Sequence, residues 1–168
     1  PQGICQVNMA RDANLNPDDR FELLFDTFDD DRNAFWFQMS AAGSRGDALI
    51  TKNGSSFNKP WNGLWRGRSR VTDEGWFAEL AIPYATLNFN PSSSEWGFNI
   101  RRFIRRNEEE ARWATASTNI YFFSALHAGS LTNVPPLDQG LGLDVLPFLT
   151  ANGSRDRTTN ETGTDLDM

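Results

Sequence analysis

Cysteine is nearly missing from this chain. Cys5 stands alone, so no internal disulfide can staple the fold and no cysteine-based zinc site can be assembled. Histidine occurs once, at His127, in a context of small residues. There is no Gly-x-Ser-x-Gly elbow, no His-Glu-x-x-His pair and no phosphate-cradling glycine loop, so the common nucleophile, metal and nucleotide motifs are all wanting. Lysine is confined to Lys52 and Lys59, and the other basic residues are arginine. With 16 basic against 22 acidic groups the formal charge is −6, which argues against nucleic acid as a partner because phosphate neutralisation needs a basic surface. No apolar run approaches the roughly 18 residues of a membrane helix, and no charged segment followed by an apolar one opens the chain. The first residue is Pro1, in the middle of a polar phrase, so we expect the natural start to lie upstream, with any signal peptide.

Aromatic residues are plentiful: 13 Phe and 6 Trp among 168 residues, enough for one domain with an aromatic core. Such a composition favours strands, and the period agrees. From Arg20 to Thr27, Phe21, Leu23 and Phe25 share one face while Arg20, Glu22 and Asp26 share the other. After an acidic turn, Ala34 to Ala41 puts Phe35, Phe37 and Met39 on one side and Trp36, Gln38 and Ser40 opposite, which predicts a hairpin with matched faces. Residues 53–63 read as a long exposed loop. Leu64 to Thr72 and Trp76 to Ile82 read as strands joined at Asp73-Glu74-Gly75, with Pro83 closing the second and a helical turn at Tyr84 to Leu87. Trp96, Phe98 and Ile100 begin a further strand, and Glu108 to Trp113 can pair back on it. The expectation is an all-β antiparallel sandwich, jelly-roll-like, whose core holds Phe21, Phe25, Phe35, Phe37, Trp76, Leu80, Trp96, Phe98 and Ile100. Pro135-Pro136 marks a boundary, so residues 1–137 form the sandwich domain and 138–168 a linker and tail expected to be disordered in isolation.

Several phrases occur together in order: Asp26-Thr27-Phe28 with Asp31-Arg32-Asn33, Trp61-Asn62-Gly63-Leu64-Trp65, Gly75 to Pro83 and Trp96 to Ile100, followed by Arg102, Arg105-Arg106-Asn107-Glu108 and Trp113. Over about Gly3 to Leu137 this resembles the family 9-like carbohydrate-binding domain that precedes a C-terminal outer-membrane barrel in a group of bacterial envelope proteins. The resemblance implies a carbohydrate-binding module of a larger protein of carbohydrate catabolism or uptake, in the periplasm or outer membrane of a Gram-negative bacterium. It also implies that the first strands of the domain are missing and that Leu141 onward begins a barrel of the same parent chain.

Glycans present flat apolar faces rimmed by hydroxyls, so their binding modules need exposed rings and planar polar side chains. Trp36, beside Glu22, Gln38 and Arg101 on a polar strand face, meets that need, and Trp61 and Trp65 flank a loop. Burial in the core or at its rim is the competing reading of each Trp. Trp113 and Glu79 complete the candidate ligand-binding set. Arg101 is a candidate for sugar or carboxylate recognition, against the simpler role of a salt-bridge ladder with neighbouring glutamates. Asp29, Asp31 and Asn33 alternate as at the start of a calcium loop, but Ala34 and Ser40 stand where its Gly and bidentate Glu belong, which excludes an EF-hand and leaves a looser structural calcium site or a solvated turn. No catalytic residue is assigned. The leading expectation is a non-catalytic module binding an oligosaccharide or polysaccharide. Its competitors are a glycoside- or ester-hydrolysing domain using carboxylates such as Glu22, Glu79 or Glu108, and a structural periplasmic domain whose surface meets its own barrel or a partner.

Overall fold

The computed structural model describes residues 3–115 and 117–136, together with the backbone pairing of strands Thr150–Arg155 and Thr162–Asp167. The main sheet is antiparallel and is built on β1 (Arg20–Asp26), β2 (Ala34–Ser40), β3 (Arg45–Thr51) and the short β4 (Ser56–Asn58), which follow one another as a meander. The chain then leaves this sheet for a ribbon of β5 (Arg66–Thr72) and β6 (Gly75–Ala81), and returns as β7 (Glu95–Ile104) alongside β1. The outer edge of β7 is shared by β8 (Glu109–Arg112) at one end and β9 (Gly129–Thr132) at the other. Single 3-10 turns at Tyr84–Thr86, Arg105–Asn107 and Ala125–His127 punctuate the connections.

The chain is therefore an all-β antiparallel sandwich, as the alternation predicts. Register follows the pattern: Phe21 pairs with Met39, Leu23 with Phe37 and Phe25 with Phe35, so the apolar faces of β1 and β2 coincide. That face packs under the β5–β6 ribbon, where Phe35, Phe37, Trp65, Leu87, Phe89, Trp96 and Val134 form one buried cluster flanked by Leu23, Phe25, Leu49, Leu80 and Ile82. Trp76 of the ribbon seats its ring on Phe21, with centroids 4.8 Å apart. Gly67 on β5 permits this close layering, since a Cβ there would come within 2.8 Å of the Met39 sulfur. Of the expected core, Phe35, Phe37, Trp76 and Trp96 are buried, while Phe21, Phe25, Leu80, Phe98 and Ile100 are partly covered.

Two sequence expectations need correction. Strand β3 was not expected, because Asp47 interrupts its apolar face. The structure buries that carboxylate and satisfies it with the Trp65 indole N–H at 2.7 Å, the Gly63 N–H at 3.2 Å and Arg11 at 2.9 Å. The loop expected over residues 53–63 contains β4, whose Phe57 pairs with Ile50. Beyond Pro136, β10 (Thr150–Arg155) and β11 (Thr162–Asp167) pair with each other as a two-stranded ribbon. The remainder of the expectation for residues 138–168 lies outside the described residues.

Candidate functional site

Every residue of β2 is buried, because the sheet is covered on its second face as well. There Leu24, Ala34, Trp36, Ala48 and Ile50 pack against Phe122 and Phe123, brought over by the segment before β9. Gly54 allows that cover to sit so low. It has φ +89°, and a Cβ would lie 2.7 Å from the Phe123 carbonyl oxygen. Asn53 pins the same segment, its side-chain oxygen accepting from the Ser124 hydroxyl at 2.9 Å and the Leu126 N–H at 3.3 Å.

Toward the other end of this face the cover stops, leaving an open pocket of about 260 Å³. Its floor is the sheet: Arg20 and Glu22 from β1, Trp36 and Gln38 from β2, and Arg101 from β7. Its walls are residues 13–16 of the N-terminal segment, Phe57 and Lys59 of the β4 loop, and Phe123. Alternation explains the floor, since 20, 22, 36, 38 and 101 all fall on the same face once β1 pairs Glu22 with both Gln38 and Arg101.

Glu22 is 2% exposed and fully engaged. Arg20 Nε donates to its Oε1 at 2.7 Å, while Arg101 Nη2 at 2.6 Å and the Trp36 indole N–H at 3.0 Å donate to Oε2. Both guanidiniums also lie against rings: Arg20 is 4.1 Å over Phe103, and Arg101 is 4.3 Å over Phe122. A buried charge cluster of this kind is tolerated because the shared carboxylate is fully hydrogen-bonded, with Arg20 also donating to the Leu15 carbonyl at 3.1 Å and Arg101 facing Glu110 at 3.5 Å. Gln38 is the opposite case. It is 5% exposed, it lines the pocket, and its side-chain amide has no hydrogen-bond partner among the described residues. A planar donor and acceptor is thus held in a fixed place at the pocket floor, available to a ligand.

The expected site residues separate into those this pocket gathers and those it does not. Trp36, Gln38 and Arg101 meet there. The expectation of an exposed ring at Trp36 is corrected, because it is 5% exposed, its N–H belongs to Glu22, and Phe57 and Phe123 pack edge-on against it. Trp65 is likewise no exposed ring: it is buried in the core cluster of the other face, edge-on to Phe37. Trp61 is half-buried beside Phe35 and Phe37 on that same face. Trp113 is 59% exposed but rests on Phe98, again on the face away from the pocket. Glu79 stands exposed on β6 opposite Arg68, in the other layer of the sandwich. The ring that the pocket does offer is Phe57, 36% exposed, which sequence reading passed over as a loop residue, together with Lys59 beside it.

The acidic turn between β1 and β2 is organised by two residues outside the calcium-like pattern. Asp26 accepts from the backbone of Phe28, Asp30 and Asp31, and Asp30 accepts from the backbone of Arg32 and Asn33 and from the Asn33 amide at 2.7 Å. Asp29 and Asp31 are exposed with φ of 53° and 60°, and Asn33 is spent on Asp30. Among the described residues no group of three or more His, Cys, Asp or Glu side chains is placed to hold a metal ion. No helix of the described residues is long and apolar enough to cross a membrane.

Fold and site together define an all-β sandwich with a small polar pocket sunk into one sheet face. No family model, curated protein or solved structure matches the chain.

Proposed function

We propose that this domain is a non-catalytic carbohydrate-binding module and that the pocket over Gln38 is its saccharide site. The observation that carries the reading is the unpartnered Gln38 amide, fixed at the floor of an open pocket beside the exposed ring of Phe57. A sugar needs that combination, an apolar surface for its CH face and a planar amide for paired hydroxyls. The volume, just below the roughly 300–1,000 Å³ typical of small-molecule sites, suits one sugar unit at a chain end or branch rather than a long groove-bound polymer. The order of motifs that resembles the family 9-like binding domain supports the same reading, as does its wider setting, a larger envelope protein of carbohydrate catabolism outside the cytoplasm.

Hydrolysis fits the pocket poorly. Glycoside hydrolysis uses two carboxyl groups roughly 5–9.5 Å apart across the scissile bond. Glu22 is the sole carboxylate lining the pocket, and three donors already occupy it. Glu79 belongs to the other layer.

Screening the full chain on a glycan array, with reducing-sugar release followed in parallel, tests the proposal. Binding without turnover is expected. Phe57→Ala should weaken it by about 1–2 kcal/mol, five- to thirtyfold, through loss of ring contact. Turnover of any bound glycan, or binding indifferent to Phe57 and Gln38, would overturn it.

A further inference from the structure

The pocket is electropositive in an acidic chain. Three cations, Arg20, Lys59 and Arg101, line it against the single carboxylate of Glu22, leaving a surplus of two positive charges where the whole protein carries −6. Among the residues that line the pocket, no second carboxylate offsets this surplus. Glu110, which faces Arg101 at 3.5 Å, is also paired with Arg112, and Arg11 is shared between Asp12 at 3.3 Å and the buried Asp47 at 2.9 Å.

The three cations are not equivalent. Arg20 and Arg101 are largely committed to Glu22 and to the rings that flank them. Lys59 has no carboxylate partner among the described residues. Its ammonium is held 5.0 Å over the Trp36 ring, exposed at the wall of the same pocket into which Gln38 opens. The ring contact positions the ammonium without neutralising it. It is one of only two lysines in the chain.

Resting on the saccharide reading of this site, we propose that the ligand is an acidic sugar, a uronic acid unit whose carboxylate pairs with Lys59 while its ring hydroxyls bond Gln38. A neutral sugar would leave the surplus charge unanswered. A carboxylated one brings its counterion with it, and the charge-assisted bond orients the ring against Phe57. Field focusing by a cationic recess in an otherwise anionic protein also admits such a ligand selectively.

Calorimetric titration of the full chain with galacturonate and mannuronate oligomers tests this, each compared with its own methyl ester, which removes the charge and keeps the sugar. We expect at least one acid to bind about five- to thirtyfold tighter than its ester. That advantage should shrink with added salt and disappear in Lys59→Gln, which removes the exposed charge. Gln38→Met should weaken acid and ester alike. Esters, or neutral glucan and xylan oligomers, binding as tightly as the acids would overturn the acidic-sugar proposal and leave the saccharide reading standing. Failure of acids, esters and neutral oligomers alike would overturn both. Full displacement of the uronate by acetate at equal concentration would reduce the site to a plain anion site and overturn the proposal from the other side.

Discussion

Glu22 and Gln38 face each other across the β1–β2 ladder, one with three donors on its carboxylate and the other with no partner for its amide. Two buried polar groups in register thus have opposite roles. Glu22→Gln should destabilise the fold by about 3–5 kcal/mol in urea unfolding, because two buried guanidiniums lose their counter-charge. Gln38→Met keeps volume and removes polarity, and should leave stability within about 1 kcal/mol while weakening ligand binding. Equal loss of stability in both variants would contradict this division of roles.

Phe37 is fully buried and touches rings from both layers, edge-on to Trp65 at 5.3 Å and to Phe25 at 6.2 Å. Phe37→Ala should cost about 3–5 kcal/mol by chemical denaturation. A cost below about 1 kcal/mol would mean that the two layers do not share this core.

The pocket wall depends on Gly54. Gly54→Ala places a side chain at φ +89° and against the Phe123 carbonyl, so it should destabilise by about 1–2 kcal/mol or more and displace the Phe122–Phe123 segment. Increased amide exchange at residues 121–126, with β5 and β6 unchanged, is the expected signature. Exchange unaltered in that segment would count against its role as cover.

Asp26 and Asp30 titrate in opposite directions within one turn. Burial, the strongest influence on Asp26, raises its pKa above the ordinary 3.8, and the Asp30 charge adds to this against three backbone N–H groups. For Asp30 burial is again the largest single influence and acts upward, but the bonds from Asn33 and Arg32 together outweigh it and lower the pKa. Asp30, depressed in the fold, therefore stabilises the protein above the unfolded value near 3.8, and this is lost as pH falls through its lower folded value. Asp26, raised in the fold, contributes stability that is lost as pH rises from 3.8 through its higher folded value. Unfolding free energy measured against pH should show Asp30→Asn flattening the profile below about pH 4 and Asp26→Asn flattening it above. Superimposable profiles for the two variants would refute the assignment.

Much of the sandwich was legible because period 2 is a strong signal wherever one face is apolar: β1, β2, β5, β6 and β7 all follow it within a residue or two. β3 was hidden by Asp47, a charge whose burial depends on Trp65 and Arg11, residues distant in sequence. The convergence of Trp36, Gln38 and Arg101 was legible for the same reason as the strands, since the alternation puts them on one face. What it could not give was the cover. Phe122 and Phe123 arrive from a segment without periodicity, and their packing turns Trp36 from an exposed ring into a buried one and passes the exposed position to Phe57. Lysine scarcity was the available hint to Lys59, though only the fold brings it to the pocket.

The most direct test of the saccharide site is to watch the Gln38 side-chain amide itself, by NMR of the isotope-labelled full chain during titration with a bound oligosaccharide. The account predicts that this amide pair shifts saturably together with signals of Phe57 and Lys59, with no new reducing ends appearing. A bound glycan that leaves the Gln38 amide unmoved, and instead shifts residues around Trp61 or Trp113, would contradict it.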